Sequence, residues 1–391
     1  MKFAFLIHSW FPHGGQQRDM LRLAGECLAR GHEVTVYTMA WLGQRPEGLR
    51  IEIVKVAARA PLARYQGFTE RLRGILRKPP PDLTVGFVKM PLLDVYFAAD
   101  SCFAEKARQQ RGLYYRFTPR FRHFSACEQA VFGPQSRTRV LLLSGRQRDG
   151  YLRHFPGCEP RLHLLPPGLS VDRKVAARDG SARRRCREEL GIAAREKLIL
   201  QIGSGFRIKG VDRSLRALAA LPEELRRDCR YLLVGNGPAR RWLALARLLG
   251  IGDRVRILPT RDQVAPLYQA ADLLLHPAHS ESAGHVLLEA TAAGLPVLTT
   301  ATCGYANHIL EANSGTVCAE PFKQRELNDQ LREMLGQLGN APWSENGLRY
   351  GRNDALYQLP KAAVDLLENC GFERSPAGTE ATTPPLRGTP P

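Results

Sequence analysis

The sequence predicts an α/β protein with two doubly wound domains, on three observations. Short apolar runs alternate with helical patterns, and this rhythm stops at LLPPGLSVDRK (164–174) and then restarts. The runs are apolar at nearly every position, as expected for strands buried on both faces of a parallel sheet. A chain of 391 residues is also too long for one hydrophobic core and suits two. Such sheets bind ligands beyond the carboxyl ends of their strands, so the cleft between the domains is the expected site.

The predicted strands follow this rhythm in order. In the first half they are FAFLI (3–7), EVTVYT (33–38), IEIVKV (51–56), LTVGFV (83–88), DVYFAA (94–99) and RVLLLS (139–144). In the second half they are KLILQIGS (197–204), RYLLVGNG (230–237), RVRILP (254–259), DLLLHP (272–277), PVLTT (296–300) and GTVCAE (315–320). The predicted domains are 1–165 and 166–350, followed by a C-terminal helix at 351–370 and a tail at 371–391. The tail is rich in Pro, Gly, Thr and Ser and lacks apolar periodicity, which predicts disorder.

Basic residues are concentrated in the first half. The formal net charge is +18, and residues 1–165 hold 26 Lys and Arg against 13 Asp and Glu. Such a field favours a polyanion, which can be nucleic acid, an anionic membrane or a phosphorylated substrate. An arginine-rich genome would produce the same bias without any partner.

Cysteine usage and the amino terminus indicate a cellular compartment. Nine cysteines occur without a CxxC pair or a His/Cys cluster at metal spacing, as expected for reduced thiols in a cytoplasmic protein. The start, MKFAFLIHSW, has an apolar core that is too short for a signal peptide or a membrane span. Any membrane contact is therefore expected to be peripheral.

The first motif, FPHGGQQRD (11–19), directly follows the first strand and opens a helical pattern. Gly14 and Gly15 are expected to let the backbone turn tightly and approach a ligand, while the helix start offers N–H groups to an anion. The motif is not GxGxxG, which argues against a dinucleotide site. Asp19 is either an ordinary residue of the helix start or a carboxylate that faces the cleft.

The second motif, IGSGFRIKGVDR (202–213), is the matching junction of the second half. Arg207 and Lys209 lie in a loop with three glycines, a combination that suits phosphate binding. The Walker spacing is absent, so the loop is not a P-loop. A solvated surface loop would have the same composition. The three glycines are Gly203, Gly205 and Gly210.

The third motif, ESAGHVLLE (281–289), marks a turn from loop into helix. The backbone N–H groups near Ala283, Gly284 and His285 can bind a diphosphate at the positive end of the helix. Glu281 precedes the helix and Glu289 lies one to two turns inside it. The alternative is a capped amphipathic helix with two solvated glutamates.

Together these junctions resemble the retaining glycosyltransferases of family GT4. The marks of that family are two glutamates separated by seven residues, a glycine pair after the first strand, a basic loop ending in Lys-Gly, and a Pro-Gly link. The resemblance covers residues 1–370. It implies the GT-B fold, in which two Rossmann-like domains face a cleft and a C-terminal helix crosses back to the first domain.

The resemblance also implies a role for each junction. Glu281 would contact the sugar of a UDP-sugar donor, Glu289 its ribose, and Lys209 its diphosphate. The family has an arginine where this chain has Ser204, and Arg207 is expected to replace it. The implied catalytic residues are Glu281, Lys209, Asp19 and Asp100, the two aspartates on the acceptor side. The implied donor-binding residues are Gly14, Gly15, Arg173, Gly203, Arg207, Lys209, Arg261, Ala283, Gly284, His285, Val286, Leu287 and Glu289.

The chemistry expected from this set needs no metal. The sequence has no DxD-like carboxylate pair suited to Mg²⁺, so no cofactor is expected and the basic loop would stabilise the departing UDP. Retention of configuration can proceed through a covalent glycosyl-enzyme intermediate or by same-face attack within an ion pair. The family implies the second route.

A basic aromatic segment (102–132) accounts for much of the charge asymmetry. Such a mixture suits an anionic membrane interface, although single-stranded nucleic acid could use it by stacking. The family resemblance favours the membrane, and part of the aromatic stripe is expected to pack inward. The expected membrane contacts are Lys106, Arg108, Arg111, Tyr114, Tyr115, Arg116, Phe117, Arg120, Phe121 and Arg122.

Three further stretches resemble landmarks of the family members that add the first hexose to the inner-core heptose of lipopolysaccharide. They are KMPLLDVYFAAD (89–100), YYRFTPRFRHF (114–124) and AGLPVLTTATCGYANHI (293–309). The expected function is retaining transfer of a hexose, glucose above all, from a UDP-sugar to the phosphorylated lipopolysaccharide core. The enzyme would act as a monomer on the cytoplasmic face of the inner membrane, without nucleic acid. The alternatives are a GT4 transferase with another UDP-hexose or lipid-linked acceptor, and a basic binding protein without activity.

Overall fold

The computed structural model describes residues 1–12, 14–110, 112–173, 177–261 and 263–374. These residues form two domains, each built on a sheet whose strands are all parallel. The first sheet contains β1 Lys2–Leu6, β2 Glu33–Thr38, β3 Arg50–Ile53, β4 Leu83–Gly86, β5 Val95–Ala98, β6 Arg139–Leu142 and β7 Leu162–Leu164. The second contains β8 Lys197–Ile202, β9 Cys229–Val234, β10 Val255–Leu258, β11 Leu273–His276, β12 Val297–Thr300 and β13 Gly315–Cys318.

Helices connect the strands in both domains. In the first they are α1 Gly15–Ala29, α2 Pro61–Ile75, α3 Phe103–Gln110, α4 Pro119–Phe132 and α5 Gly145–His154. In the second they are α6 Gly180–Leu190, α7 Val211–Ala219, α8 Glu223–Arg227, α9 Ala239–Leu248, α10 Ala265–Ala270, α11 His285–Ala292, α12 Ala306–Glu311, α13 Gln324–Gln337 and α14 Trp343–Gly351. The last helix among the described residues is α15 Leu359–Arg374. Short 3₁₀ helices lie at Leu113–Phe117, Pro156–Arg161, Val171–Arg173, Gly252–Arg254 and Asp354–Tyr357.

The strand order places a switch point in the middle of each sheet. The first sheet has the order β3-β2-β1-β4-β5-β6-β7 and the second β10-β9-β8-β11-β12-β13. In the first sheet, the connections that start from β1 lead toward one edge and those that start from β4 lead toward the other. In the second sheet, the same change occurs between β8 and β11. Loops that leave neighbouring strands at such a point diverge and leave a crevice for a ligand. All three sequence motifs begin at one of these loops.

Helix α15 crosses back to the first domain and packs against α1. Arg30, directly after α1, donates to Asp365 at 2.6 Å and to Glu368 at 2.9 Å. His32 lies 2.7 Å from the other oxygen of Glu368. These contacts join α15 to the first domain.

The link between the domains is in contact with the segment that leads into α15. The backbone N–H of Leu169 donates to the carbonyl oxygen of Leu356 at 2.8 Å. A Cβ at Gly168 would lie 2.7 Å from Leu359 Cδ1, so a larger residue would displace that buried leucine. The Pro-Gly link therefore requires glycine for close approach.

The structure differs from the sequence-based expectation at two places. Strand β7 was not predicted, because it is a three-residue edge strand with half-exposed side chains, and Leu164 is 56% exposed. It therefore lacks the continuous apolar pattern of the other strands. Helix α15 spans Leu359–Arg374, so it begins eight residues later than the predicted helix at 351–370, and residues 371–374 are helical rather than part of the tail. Residues 375–391 lie outside the described residues.

The nine cysteines are all buried and free. Burial raises the pKa of several of their thiols, for example that of Cys27 to about 12, where the Arg30 charge only partly opposes it. Within the described ranges, no helix is both long and apolar enough to cross a membrane.

Candidate active site

The basic loop between β8 and α7 depends on its glycines. Gly203, Gly205 and Gly210 have φ angles of +143°, +74° and +73°, a region that other residues rarely adopt. A Cβ at Gly210 would lie 1.9 Å from the carbonyl oxygen of Pro277, in the loop after β11. The two loops of the second switch point are thus in backbone contact, and this contact sets the position of Lys209.

Lys209 and Glu281 form an ion pair at the centre of the site. The Lys209 ammonium donates to Glu281 Oε2, and His276 Nε2 lies 3.4 Å from the same oxygen. Burial alone would raise the pKa of Glu281, but Lys209 and His276 lower it to about 2. Burial lowers the pKa of His276, whose side chain is fully buried. The resting site therefore holds an ionised carboxylate, an ammonium group and a neutral imidazole.

The start of α11 is shaped to receive an anion. Gly284 precedes the helix with a φ of +98° and no side-chain cap, so the helix begins with its backbone N–H groups available. The Leu287 N–H is an exception, because it donates to the Gly284 carbonyl at 2.9 Å. Leu287 is also fully buried, which places it in the core rather than against a donor.

Glu289 is buried inside α11 and has a partner on each carboxylate oxygen. Tyr268 donates to Oε2 at 2.7 Å, and Arg18 Nη1 of the first domain lies 3.6 Å from Oε1. Neither partner is predicted from the sequence. Arg18 lies within the quoted motif FPHGGQQRD, whereas nothing in the sequence around Tyr268 points to this contact.

Asp19 lies on the first-domain side of the same cavity. It is 3% exposed, and its two oxygens lie 3.7 Å from Arg22 Nη1 and from His285 Nε2. The cavity has a volume of 310 Å³ and is also lined by Arg18 and Glu289. The predicted acceptor-side role of Asp19 stays a prediction, and the structure places this carboxylate in the same cavity as Glu289.

The glycine pair does not make the tight turn that was predicted. Gly14 has φ −78° and ψ 131°, an extended conformation open to any residue. Gly15 begins α1, and a Cβ built on it would have no atom within 4 Å. The absence of a side chain at Gly15 therefore leaves open space in front of the helix and relieves no backbone strain.

Asp100 follows β5 at the carboxyl end of the first sheet, with its side chain 56% exposed. Tyr96 donates to Asp100 Oδ1, and Lys89 Nζ lies 3.3 Å from Oδ2. Asp100 is separate from the Asp19 cavity. The next two residues, Ser101 and Cys102, line a smaller cavity of 60 Å³ that Glu281 and Ser282 close from the second domain.

Comparison with known proteins assigns a family to this arrangement. A family model described as "Glycosyl transferases group 1" matches residues 182–344. The lipopolysaccharide glucosyltransferase WaaG of Escherichia coli (strain K12) is 45% identical over 368 residues, which cover 94% of this chain and 98% of that protein. The chain belongs to the group 1 glycosyl transferases.

Solved structures agree with this assignment. The crystal structure of WaaG, described as a glycosyltransferase involved in lipopolysaccharide biosynthesis, matches with a TM-score of 0.89 over 93% of this chain and 99% of that one. Its sequence identity to this chain is 45%. Anabaena HepE in complex with UDP-glucose matches with a TM-score of 0.70 over 94% of this chain and all of that one, but at 18% identity the likeness shows the fold alone. The predicted family and GT-B fold are confirmed.

The remaining residues of this glycosyl transferase that are predicted to bind the donor differ in how far their side chains are buried. Val286 is half-buried in the first turn of α11, next to buried Ala283 and Gly284. Arg207 and Arg261 are exposed, and no carboxylate among the described residues is paired with either. Arg173 ends a 3₁₀ helix in the link, and its side chain lies outside the described part of the structure.

The basic aromatic segment of this glycosyl transferase has two sides. Phe121 packs against Phe103 at 5.7 Å between ring centroids and against Tyr115 at 5.8 Å, so these rings face inward. Tyr114 and Phe117 are 88% and 75% exposed. Their neighbours Arg108, Arg116, Arg120 and Arg122 are also exposed, whereas half-buried Lys106 lines the 60 Å³ cavity; Arg111 lies outside the described residues. We call Arg108, Tyr114, Arg116, Phe117, Arg120 and Arg122 the basic aromatic surface.

Polar contacts hold the two domains together beside this cavity. Ser144 Oγ donates to the carbonyl oxygen of Ser282 at 2.6 Å. Arg146 donates to both carboxylate oxygens of Glu320, at 2.5 and 2.9 Å. In the described ranges, no group of three or more His, Cys, Asp or Glu side chains is arranged to hold a metal ion.

Proposed function

We propose that this glycosyl transferase moves glucose from UDP-glucose to a heptose of the lipopolysaccharide inner core, with retention of configuration. The observation that carries this proposal is the Lys209–Glu281 ion pair, which lies between two loops of the second switch point and next to the start of α11. The 45% identity with WaaG over nearly the whole chain supports the choice of donor sugar and acceptor.

Departure of UDP requires positive charge that is already in place when the glycosidic bond breaks. The diphosphate would compete with Glu281 for the Lys209 ammonium and would accept hydrogen bonds from the N–H groups at the start of α11. Fixed donors of this kind stabilise charge that develops in the transition state, which is the task a metal ion performs in other transferases. Lys209 and α11 would thereby make a metal unnecessary.

Glu281 would then be free to accept hydrogen bonds from the hydroxyls of the donor sugar. Its depressed pKa keeps the carboxylate ionised at neutral pH. His276 is neutral and donates to the same carboxylate, so it orients Glu281 without adding charge. Glu289, with one oxygen fixed by Tyr268, would bind the ribose hydroxyls with its other oxygen once Arg18 moves away.

The transfer step would proceed on one face of the sugar. The bond between the glucose C1 and the β-phosphate oxygen breaks, a bond between C1 and the acceptor hydroxyl oxygen forms, and the hydroxyl proton passes to the departing phosphate. The ion pairs of Glu281 with Lys209 and of Asp19 with Arg22 argue against either carboxylate as a covalent nucleophile. Same-face attack within an ion pair is therefore the route that we propose.

We further propose that the enzyme is a monomer that binds the cytoplasmic face of the inner membrane through the basic aromatic surface. Exposed Tyr114 and Phe117 would enter the interface while the surrounding arginines contact anionic headgroups. A lipopolysaccharide acceptor is anchored in the same membrane, so this contact would bring the cleft to its substrate.

The decisive experiment incubates the purified protein with a panel of UDP-sugars and a heptose-terminated lipopolysaccharide core. The expected product gains the mass of one hexose, with UDP-glucose preferred, and NMR shows an α-linked sugar. Transfer from another UDP-sugar or to another lipid-linked acceptor would instead support a different GT4 specificity. No mass gain with any donor would refute the proposed function.

A further inference from the structure

Lys89 is a buried cation in the first domain that lies outside the donor site. Its side chain is only 6% exposed, and its ammonium lies 2.9 Å from Glu128 Oε1, 3.3 Å from Asp100 Oδ2 and 2.8 Å from the Ser101 carbonyl oxygen. Burial lowers the pKa of Lys89, but Asp100 and Glu128 outweigh burial and the pKa is raised. The ammonium is therefore charged and shared by two carboxylates.

One of these carboxylates, Glu128, caps the start of a helix. Glu128 lies in α4 and is 1% exposed, and it accepts the backbone N–H groups of Phe103 at 2.7 Å and Ala104 at 2.8 Å. These are the first N–H groups of α3, which Glu128 therefore caps from another element. A buried carboxylate needs a nearby positive charge, and Lys89 supplies it.

The other carboxylate lies just after β5, at the carboxyl end of the first sheet. Asp100 is anchored by Tyr96 at one carboxylate oxygen, and its backbone carbonyl accepts from Gln147 at 3.0 Å and Tyr151 at 3.1 Å. Its side chain nevertheless remains 56% exposed. A carboxylate this exposed is hydrated and needs no buried cation for its own stability, so its pairing with Lys89 fixes its direction.

We propose that Lys89 is a positioning residue for the acceptor: it holds Asp100 oriented toward an acceptor hydroxyl while it also neutralises Glu128 at the start of α3. This inference rests on the proposed function and extends it to the acceptor side. Asp100 precedes Ser101 and Cys102, which share the 60 Å³ cavity with Glu281. A sugar hydroxyl between Asp100 and the donor sugar would thus lie on the acceptor side of that cavity.

The arrangement also connects the acceptor contact with the membrane-facing part of the domain. Helix α3 carries Lys106, which lines the same cavity, and Arg108, which belongs to the basic aromatic surface. One ammonium therefore fixes both the carboxylate that meets the acceptor and the first turn of the helix that leads to the surface.

The test replaces Lys89 with methionine, a flexible side chain of similar length without charge. Lys89→Met alone leaves Glu128 buried without a counter-charge, which can prevent folding, so the double variant Lys89→Met/Glu128→Gln is made in parallel. Glutamine keeps one acceptor for the α3 N–H groups and removes the buried charge. Lys89→Arg serves as the conservative rescue. Arg30→Met removes a cation that pairs with Glu26 in α1 and with two carboxylates in α15, and it serves as the matched control.

For each variant, three quantities are measured: the acceptor KM in glucose transfer, UDP affinity by calorimetry, and UDP-glucose hydrolysis without acceptor. We expect the double variant to raise the acceptor KM at least tenfold, while UDP affinity and hydrolysis change less than twofold. Lys89→Arg should recover part of the acceptor KM, and Arg30→Met should leave it unchanged.

An unchanged acceptor KM in a folded double variant would overturn the inference. A parallel loss of UDP affinity and transfer would do the same, because it would show a general structural role. Failure of the wild-type enzyme to transfer glucose at all would refute the proposed function instead, and the two failures are therefore distinguishable.

Discussion

Arg18 and Glu289 face each other across the cleft, with Arg18 Nη1 3.6 Å from Glu289 Oε1. Arg18 is half-exposed, so the pair contributes little to stability, on the order of 1 kcal/mol or less. Its importance lies in its position, because it occupies the oxygen of Glu289 that Tyr268 leaves available. A ribose that binds Glu289 must displace a cation from the opposite domain.

The first prediction concerns the charge of Glu289. Glu289→Gln keeps the size of the side chain and an acceptor for Tyr268 but removes the charge that strengthens hydrogen bonds to the ribose. Charged hydrogen bonds contribute about 1.5–3 kcal/mol, so we expect the UDP dissociation constant to rise roughly tenfold or more. Calorimetry with UDP measures this change. Unaltered UDP affinity would show that Glu289 does not contact the nucleotide.

The second prediction concerns the Lys209 ammonium. Lys209→Met should lower kcat by about 10²–10³, the loss typical of removing one fixed donor that stabilises developing charge. Lys209→Met/Glu281→Gln, which removes the unpaired buried carboxylate, should recover stability without recovering kcat. Steady-state kinetics at saturating acceptor measures kcat, and urea unfolding measures stability, so the loss of catalysis is distinguished from a loss of folding. A variant with near-normal kcat would remove Lys209 from the catalytic step.

The third prediction follows from the depressed pKa of Glu281. The folded value of about 2 lies below the unfolded value of about 4.5, so the stabilisation is complete above pH 4.5 and is lost as the pH falls toward 2. The whole shift corresponds to a contribution on the order of 3 kcal/mol.

Urea unfolding at pH 6 and pH 3 tests this dependence by comparing wild type with Glu281→Gln. The wild type should lose about 2 kcal/mol more than the variant between these pH values, because most of the Glu281 contribution is lost in this interval. Other carboxylates titrate in both proteins and cancel in the comparison. Parallel pH profiles would show that Glu281 is not stabilised as an anion.

The fourth prediction concerns the space in front of Gly15. Gly15→Ala adds a Cβ that meets no atom in the structure, so the free energy of unfolding should stay the same or rise by up to about 1 kcal/mol. UDP-glucose KM should nevertheless rise if the diphosphate approaches this residue. Gly25→Ala is the matched control, since Gly25 lies in the same helix with equally open space and far from its start. Equal KM values for the two variants would contradict a ligand contact at Gly15.

The fifth prediction concerns the basic aromatic surface. Tyr114→Ser/Phe117→Ser should weaken binding to vesicles of anionic phospholipid at least tenfold, because each apolar side chain contributes about 1.5–3 kcal/mol when it is fully removed from water. Leu248→Ser is the control, since Leu248 is 83% exposed in the other domain. Cosedimentation with vesicles measures the binding. Equal binding by the two variants would place the membrane contact elsewhere.

The fold and the site elements could be predicted because their signals are local. Twelve of the thirteen described strands coincide with the predicted, largely apolar runs, and the glycines at 203, 205 and 210 occur where the chain takes up positive φ angles. The contacts within the site were harder to predict from the sequence. Lys209 and Glu281 were both identified, but their pairing joins residues 72 positions apart and depends on the order of the strands.

Side chains that contact the site glutamates from another helix or strand have no recognisable pattern in the sequence. From the sequence, Tyr268 is a core residue of a short helix and His276 the end of a buried strand. Only the fold brings Tyr268 of α10 beside Glu289 of α11, and His276 of β11 beside Glu281. The glycine pair gave a misleading signal, because adjacent glycines commonly form turns. Here Gly14 is extended and makes close contact with a side chain, since a Cβ on it would lie 1.9 Å from Gln17 Oε1, whereas Gly15 faces open space.

The hydrogen bond between Leu169 and Leu356 has a consequence for how the cleft can open. The chain passes between the domains twice, and this bond joins the two passages side by side. We expect this bond to restrain separation of the domains at that point and to favour a rotation about the paired passages over a translation. Donor entry would require such a rotation to break Ser144–Ser282 and Arg146–Glu320, while Leu169 and Leu356 stay together as the pivot.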